Sequence, residues 1–123
     1  MKPTPFFKIS EGDVVPYQPD GHTLTLNRRL AGRFNGSQNV EFIIGEMARG
    51  GGAQGHMHED MDQMIFLLEG KLRITSADKE EMMLPGDLAV MLKGTRHEVW
   101  CEADHARFII IYSPARLYGT GPG

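Results

Sequence analysis

Short apolar segments separated by turn residues run through most of this chain. Residues 22–30 alternate between apolar and polar positions, 64–68 form a continuous apolar run, and 108–112 are the last such segment. Glycine and proline pairs such as Pro85-Gly86 punctuate the intervals between them. No window of helical length keeps a 3.6-residue period. Short strands at near-regular spacing predict an all-β sandwich or barrel.

The same pattern predicts one domain over residues 1–123, with its core at about 20–115. A strand is expected at 40–47, followed by a loop at the three glycines 50–52. Residues 1–19 are interpreted as an N-terminal arm, and residues 117–123, which are rich in glycine, as a flexible C-terminal tail.

Composition excludes several classes of protein. The net charge of −3 gives no electrostatic reason to expect nucleic acid or an anionic membrane as a partner. Cys101 is the only cysteine, so an internal disulfide is impossible and a reducing compartment is indicated. Apolar runs fall short of the roughly 18 residues of a membrane span, and the start has no signal-peptide pattern. We therefore expect a cytoplasmic protein that binds neither nucleic acid nor membrane.

Three histidines and one glutamine form the strongest chemical pattern in the sequence. His56 and His58 are two residues apart, so in an extended segment both rings leave the same face. Gln63 follows, and His97 comes from a distant segment that only folding brings near. Imidazole-rich ligation suits a divalent transition metal such as Zn, Ni, Fe, Mn or Cu. By contrast, we expect His22 in an early loop and His105 in a polar turn, neither of them as a ligand.

The spacing of this set resembles the two motifs of the cupin superfamily. The first motif is matched by Gly50-x5-His56-x-His58-x4-Gln63-x6-Gly70, and the second by Gly86-x7-Gly94-x2-His97. Leu92, Cys101 and Gln63 stand where the family pattern has proline, asparagine and glutamate. The resemblance implies a jelly-roll β-barrel with a metal ion in its mouth, usually in a dimer.

Two residues are candidates for the third ligand position of the first motif. The interval to Gly70 fits Gln63, whereas Asp62 lies at the shorter spacing that the family also permits. Neighbouring strand residues face opposite sides, so one of the two points inward and the other outward. We favour Gln63 as the ligand and keep Asp62 as the alternative.

Strand alternation also predicts which residues line a small-molecule pocket beside these candidate ligands. The residues that share their faces are apolar or weakly polar: Ile65, Leu67, Val99 and Cys101. Tyr112, near the end of the last strand, has two interpretations. It points its hydroxyl into the mouth and moves protons, or it packs in the core with a hydrogen-bonded hydroxyl.

The ending Tyr112-Ser113-Pro114-Ala115-Arg116 resembles the Ser-Pro-Pro-Arg close of small single-domain cupins that act on unsaturated uronates. That group and some polyketide cyclases of the family also carry His, His, Gln and His around the metal. The resemblance, together with a neutral ligand set, favours a redox-neutral lyase, isomerase or cyclase that acts on a sugar acid or a polyketide. A non-haem metal dioxygenase and a non-enzymatic binding or sensing module are the alternatives.

A homodimer is also expected. The N-terminal arm carries Phe6, Phe7 and Ile9, which are apolar enough to cover an open sheet edge of a partner.

Overall fold

The computed structural model describes residues 6–117, apart from the side chain of His56. Within this range, two short 3-10 turns, Glu11–Asp13 and Arg33–Asn35, accompany eight strands. The strands are β1 (His22–Ala31), β2 (Glu41–His56), β3 (Asp62–Glu69), β4 (Leu72–Ser76), β5 (Lys79–Met83), β6 (Leu88–Met91), β7 (His97–Cys101) and β8 (His105–Ser113).

The strands form one antiparallel sheet in the order β5-β4-β7-β2-β8-β3-β6, with β1 beside β2. Strand β2 pairs with β8 through residues 41–48 and with β7 through residues 52–56. It therefore passes from one wall of the barrel to the other, and the sheet curls into a nearly closed barrel. The predicted all-β jelly-roll is confirmed. Among the described residues, no helix has the length and apolar character needed to cross a membrane.

Alternating side chains fill the inside of this barrel. In β3 every second residue from Gln63 to Leu67 is buried, as the period of two requires. Leu67, Phe108 and Ile43 are each 1% exposed or less and belong to a single apolar core between the two walls. Burying each such side chain contributes about 1.5–3 kcal/mol.

The prediction of a loop at Gly50–Gly52 is wrong, because β2 continues through all three residues. A Cβ atom on Gly52 would lie 2.3 Å from a ring carbon of Trp100 on β7, and one on Gly51 would lie 2.9 Å from the carbonyl oxygen of Ala48. Gly51 and Gly52 therefore allow neighbouring chain segments to approach each other closely. A glycine-rich composition that normally indicates a loop is here part of a strand.

The described part of the N-terminal arm packs on its own chain. Glu11 forms a bidentate ion pair with Arg107 of β8, at 2.6 Å for both oxygens. Tyr17 forms a β-bridge with Asn27 of β1. Phe6 and Phe7 remain 82% and 54% exposed. The contact of the arm with a partner stays a prediction, and residues 1–5 and the tail beyond 117 lie outside the described range.

Candidate metal centre

Three of the four predicted ligands are brought together at one end of the barrel. His97 begins β7, Gln63 is the second residue of β3, and His58 lies in the loop between β2 and β3. The ring centroids of His58 and His97 are 6.4 Å apart. The backbone of His56 pairs with that of His97 across β2 and β7, but its side chain lies outside the described structure.

A backbone hydrogen bond holds the loop that carries His58. The amide of Gly94 donates to the carbonyl oxygen of His58 at 2.7 Å. Gly94 has a φ of +84°, in the left-handed region that favours glycine. This hydrogen bond from Gly94 therefore fixes the position of His58 relative to the turn just before His97.

The donor atoms of this group point into the protein. Nε2 of His58, Oε1 of Gln63 and Nε2 of His97 are all buried from solvent. Nδ1 of His97 lies 3.2 Å from the carbonyl oxygen of Thr95. A carbonyl oxygen only accepts, so a hydrogen bond here requires the proton on Nδ1, and Nε2 is then the ring nitrogen that a metal ion would use.

The structure separates the roles of Asp62 and Gln63. Asp62 accepts a hydrogen bond from the backbone amide of Lys93 at 2.9 Å, which stabilises the turn after β6. Gln63 is 2% exposed and lines the inner cavity of the barrel. This placement favours Gln63 over Asp62 as the inward-facing donor.

The donor set has the chemistry of a transition-metal site. It consists of two imidazoles and one amide oxygen, with His56 on the adjacent strand position. Among the side chains that the structure describes, no three His, Cys, Asp or Glu residues come together as a cation site. Such a nitrogen-rich neutral set fits Zn, Ni, Fe or Cu, whereas Ca and Mg prefer several carboxylate oxygens.

Tyr112 lies directly against this group. Its backbone pairs with Gln63 on β3 and with Glu41 on β2. Its ring meets the His58 ring edge-on, with centroids 5.1 Å apart. The side chain is fully buried, and its hydroxyl has no hydrogen-bond partner among the described atoms. Burial raises the pKa of this hydroxyl above its usual range.

A buried ionic network lies beside Tyr112, and no periodic pattern in the sequence indicates it. The carboxylate of Glu41 accepts hydrogen bonds from Nη2 of Arg116 at 2.8 Å, from Nε of Arg116 at 3.1 Å and from Nε of Arg29 at 2.7 Å. The guanidinium of Arg116 also stacks 4.2 Å above the Tyr112 ring. Burial opposes ionisation of Glu41, but the hydrogen bonds and charges of the arginines lower its pKa overall.

The four predicted pocket residues are all buried on the inside of the barrel. Ile65 and Val99 line an inner cavity of only about 10 Å³, while Leu67 and Cys101 pack in the core cluster. A cavity of this size holds at most one water. Gln63 lines the same inner cavity as Ile65 and Val99, and contact with a substrate remains a prediction for all four residues.

A larger cavity of about 340 Å³ opens beside the network. Its lining combines two arginines, one aspartate and apolar groups: Arg33, Asp60, Met61, Pro114, Ala115, Arg116 and Leu117. Arg116 links this cavity to the donor group, because its guanidinium touches the ring of Tyr112 and Tyr112 touches His58.

His22 is a residue that sequence reasoning misplaced. It begins β1, is 8% exposed and lines the inner cavity together with Gln63. The pairing of β1 with β2 shifts register between Thr23 and Thr25, where Leu24 has a φ of +49°. This irregularity breaks the alternation that would have marked His22 as inward. His105, by contrast, is exposed at the start of β8.

Comparison with known proteins defines the family. Residues 43–112, more than half of the chain, match the cupin domain family model, and the protein belongs to the cupin family. No curated protein matches the sequence at a significant level.

Solved structures agree with the barrel seen here. KdgF from Halomonas sp. aligns with a TM-score of 0.79 at 19% identity, over 93% of this chain and 97% of its own. The polyketide cyclase RemF from Streptomyces resistomycificus aligns with a TM-score of 0.79 at 21% identity, over 92% and 82%. A protein described as a predicted oxalate decarboxylase, from Thermotoga maritima, gives 0.79 at 14% identity, over 88% and 99%. At these identities the likeness establishes the fold.

Proposed function

We propose that this cupin is a metal-dependent, redox-neutral enzyme, a lyase, isomerase or cyclase, that acts on a small oxygenated substrate such as a sugar acid or a polyketide. The observation that carries the proposal is the grouping of the His58 and His97 rings with the buried phenol of Tyr112. Gln63 is paired with Tyr112 on the neighbouring strand, and Nε2 of both histidines and Oε1 of Gln63 are buried. His56, on the strand next to His97, completes the proposed ligand set.

The charge of the donor set determines the kind of chemistry. Three imidazoles and one amide contribute no negative charge, so a divalent cation held there would keep its full charge and polarise a carbonyl or enol oxygen. A glutamate in place of Gln63 would remove one unit of that charge. The neutral set also disfavours the higher oxidation state of a redox-active metal, because it supplies no anion to stabilise it.

Tyr112 and its neighbours supply the proposed protein chemistry around the reacting oxygen. The hydroxyl of Tyr112 is the candidate proton carrier, since it lies in a buried position against His58. Arg116 stacks on its ring and is itself held by Glu41, so the phenol is fixed on two sides. Fixed orientation of a general acid or base is what such catalysis requires.

The 340 Å³ cavity is the proposed binding place for the rest of the substrate. Arg33 and Arg116 give it guanidinium groups, of which that of Arg116 is paired with Glu41, and Asp60 adds one negative charge. Met61, Pro114 and Leu117 give it apolar contact area. That combination suits an oxygenated acid with an apolar or ring portion. The relative RemF is a polyketide cyclase of nearly the same fold, which supports a reaction of this class.

The inner cavity weighs against the alternative of a binding or sensing module that encloses its ligand inside the barrel. At about 10 Å³ it has no room for a small organic molecule.

We also propose the cytoplasm as the compartment, because the single cysteine, Cys101, is buried as a free thiol.

The test is an anaerobic activity assay on zinc-loaded and iron-loaded protein, with unsaturated uronates and linear polyketide mimics as substrates. We expect turnover without oxygen, and at least partial activity with zinc, because zinc has no redox chemistry. His105→Ala, an exposed histidine outside the site, is the matched control and should keep full activity. Strict dependence on iron and oxygen would instead identify a dioxygenase, and tight binding without turnover would identify a binding module.

A further inference from the structure

The N-terminal arm contains a tyrosine whose backbone is held against β1. Tyr17 lies in the segment Pro16-Tyr17-Gln18-Pro19. Proline restricts its own φ and the conformation of the residue before it, so this segment has little freedom. The amide of Tyr17 donates to the carbonyl oxygen of Asn27 at 2.9 Å, and the amide of Asn27 donates to the carbonyl oxygen of Tyr17 at 2.8 Å. Residue 17 therefore extends the sheet beside β1.

The side chain of Tyr17 reaches Arg29 from this position. Arg29 lies two residues beyond Asn27 on β1, and a diagonal neighbour of this kind is within reach of a long side chain. Nη2 of Arg29 donates to the hydroxyl of Tyr17 at 2.6 Å. The guanidinium carbon of Arg29 also lies 4.8 Å from the centroid of the Tyr17 ring. The hydroxyl and the ring of Tyr17 thus both contact the same guanidinium.

Arg29 divides its hydrogen bonds between Tyr17 and Glu41. Its Nε donates to Oε2 of Glu41 at 2.7 Å, and Nη2 of Arg116 donates to the same oxygen at 2.8 Å. The donors of a guanidinium have a fixed planar geometry, so the bond to Tyr17 sets the direction from which Arg29 approaches Glu41. The side chain of Arg29 is only 13% exposed, so water does not readily replace a lost partner.

Arg116 connects this carboxylate to the candidate metal centre. Its guanidinium lies 4.2 Å above the ring of Tyr112, and that ring meets the His58 ring edge-on at 5.1 Å. Burial raises the pKa of the Tyr112 hydroxyl, and Tyr17 and Arg29 are among the groups whose charges act on it. A continuous series of contacts therefore connects Tyr17, in the arm, to Tyr112.

The charges of the buried ionic network explain why the hydroxyl of Tyr17 matters. Two guanidinium groups share one carboxylate, so the donors of Arg29 and Arg116 compete for the oxygens of Glu41. The hydroxyl of Tyr17 reduces this competition, because it accepts a hydrogen bond from Arg29. Without that acceptor, Nη2 of Arg29 would turn toward Glu41, since a carboxylate is the stronger acceptor for a guanidinium. Arg116 would then lose part of its contact with Glu41 and move on the ring of Tyr112.

We propose that Tyr17 is a positioning residue that fixes the orientation of the Tyr112 phenol. It acts through the three charged residues between them, Arg29, Glu41 and Arg116. The inference rests on the proposed function where it concerns turnover, but the orientation of Tyr112 can be measured without a substrate. Tyr17 is not among the described residues that line the 340 Å³ cavity, so its loss should lower kcat and leave KM nearly unchanged.

Nuclear magnetic resonance of the full chain, with ¹³C at the ring Cε positions of its three tyrosines, tests the positioning directly. The Tyr112 signal is assigned with Tyr112→Phe, first with a chelator present and again after addition of zinc. Tyr17→Phe should shift this signal, because the groups packed on the Tyr112 ring change position. Glu11→Gln is the matched control. It removes the ion pair of the arm with Arg107, near the other end of β8, and should leave the signal unchanged.

Steady-state kinetics on a substrate found in the anaerobic assay supply the second measurement. Tyr17→Phe should lower kcat about tenfold with KM nearly unchanged, whereas Glu11→Gln should keep both values. The double variant Tyr17→Phe/Tyr112→Phe should be no slower than Tyr112→Phe alone. A residue that acts only through the Tyr112 hydroxyl has no effect once that hydroxyl is gone.

Circular dichroism of each variant should retain the wild-type strand signal. If Tyr17→Phe does not fold, Arg29→Lys carries the test, because a lysine keeps a cation beside Glu41 but lacks the planar donors that contact Tyr17 at the same time. An unchanged Tyr112 signal in Tyr17→Phe, an equal shift in Glu11→Gln, or additive losses of kcat in the double variant would overturn the proposal. A shifted signal without turnover of any substrate would refute the proposed function and support the positioning role.

Discussion

Replacing Glu41 by glutamine is the sharpest test of the buried ionic network. The change keeps the size of the side chain and removes its charge. In the native protein Glu41 accepts the backbone amide of Arg116 at 3.0 Å in addition to the guanidinium groups of Arg116 and Arg29. The NH2 group of a glutamine is a donor, so it would face the N–H groups of the arginines instead of accepting their hydrogen bonds. The change would also leave two guanidinium groups without their counter-ion.

The magnitude follows from burial. The side chains of Glu41 and Arg116 are 2% and 6% exposed, so water cannot replace the lost interaction. Removing one member of such a buried pair typically costs 3–5 kcal/mol, and we expect a loss of about that size in the free energy of unfolding. Glu102→Gln is the matched control. Glu102 binds Nε of Arg73 at 2.7 Å, the same distance as Glu41 to Arg29, but both side chains are about one-third exposed. Its loss should therefore cost about 0–1 kcal/mol.

The same carboxylate predicts a pH dependence. The folded-state pKa of Glu41 is lowered from its ordinary value of 4.5, so its stabilisation is present above pH 4.5 and is lost as the pH falls through the lower folded value. Urea unfolding at neutral and acidic pH measures both effects. Wild-type protein should lose more stability on acidification than Glu41→Gln. Equal and small losses for Glu41→Gln and Glu102→Gln at neutral pH would refute the reasoning from burial.

Three further predictions concern the barrel and its mouth. Gly52→Ala should lower the free energy of unfolding by about 1–3 kcal/mol, because the added methyl would lie 2.3 Å from the Trp100 ring. Gly12→Ala, with open space around the added methyl, is the control and should leave thermal unfolding nearly unchanged. Tyr112→Phe should leave stability and metal content nearly unchanged, since its hydroxyl makes no hydrogen bond to any described atom, but should lower kcat by about 10²–10⁴-fold; unchanged kcat would remove Tyr112 from the mechanism. Gln63→Glu should retain the metal and slow turnover at least about tenfold, which equals ~1.4 kcal/mol of barrier; faster turnover would contradict the charge argument.

Much of the fold and the placement of the candidate site could be predicted from sequence because both depend on short-range patterns. The short apolar segments at 64–68 and 108–112, together with the turn residues between strands, indicated the barrel. The spacing of His56, His58 and Gln63 depends on one strand-loop-strand segment, so a fixed interval describes it. The choice of Gln63 over Asp62 followed from the interval to Gly70 together with strand parity, and the hydrogen bond of Asp62 to Lys93 agrees with it.

Features that depend on contacts between distant segments could not be predicted. Glu41, Arg29 and Arg116 come from β2, β1 and the segment after β8, and each alone resembles a surface charge. The glycines at 50–52 carry the composition of a loop, although Trp100, on the distant strand β7, requires the small size of Gly52. Residues 64–68 and 108–112 are visible in the sequence as apolar runs, but only the strand register shows which of those residues point outward.

Metal analysis of purified protein tests the central claim most directly. Wild-type protein, His58→Ala and His105→Ala should be expressed without added metal, purified without affinity resins that carry metal, and measured by plasma mass spectrometry. We predict one transition-metal ion per chain in wild-type protein and in His105→Ala, and severe loss in His58→Ala with the strand signal in circular dichroism retained. Equal metal content in all three proteins, or none in the wild type even after incubation with Zn, Ni, Fe, Mn and Cu, would contradict the account.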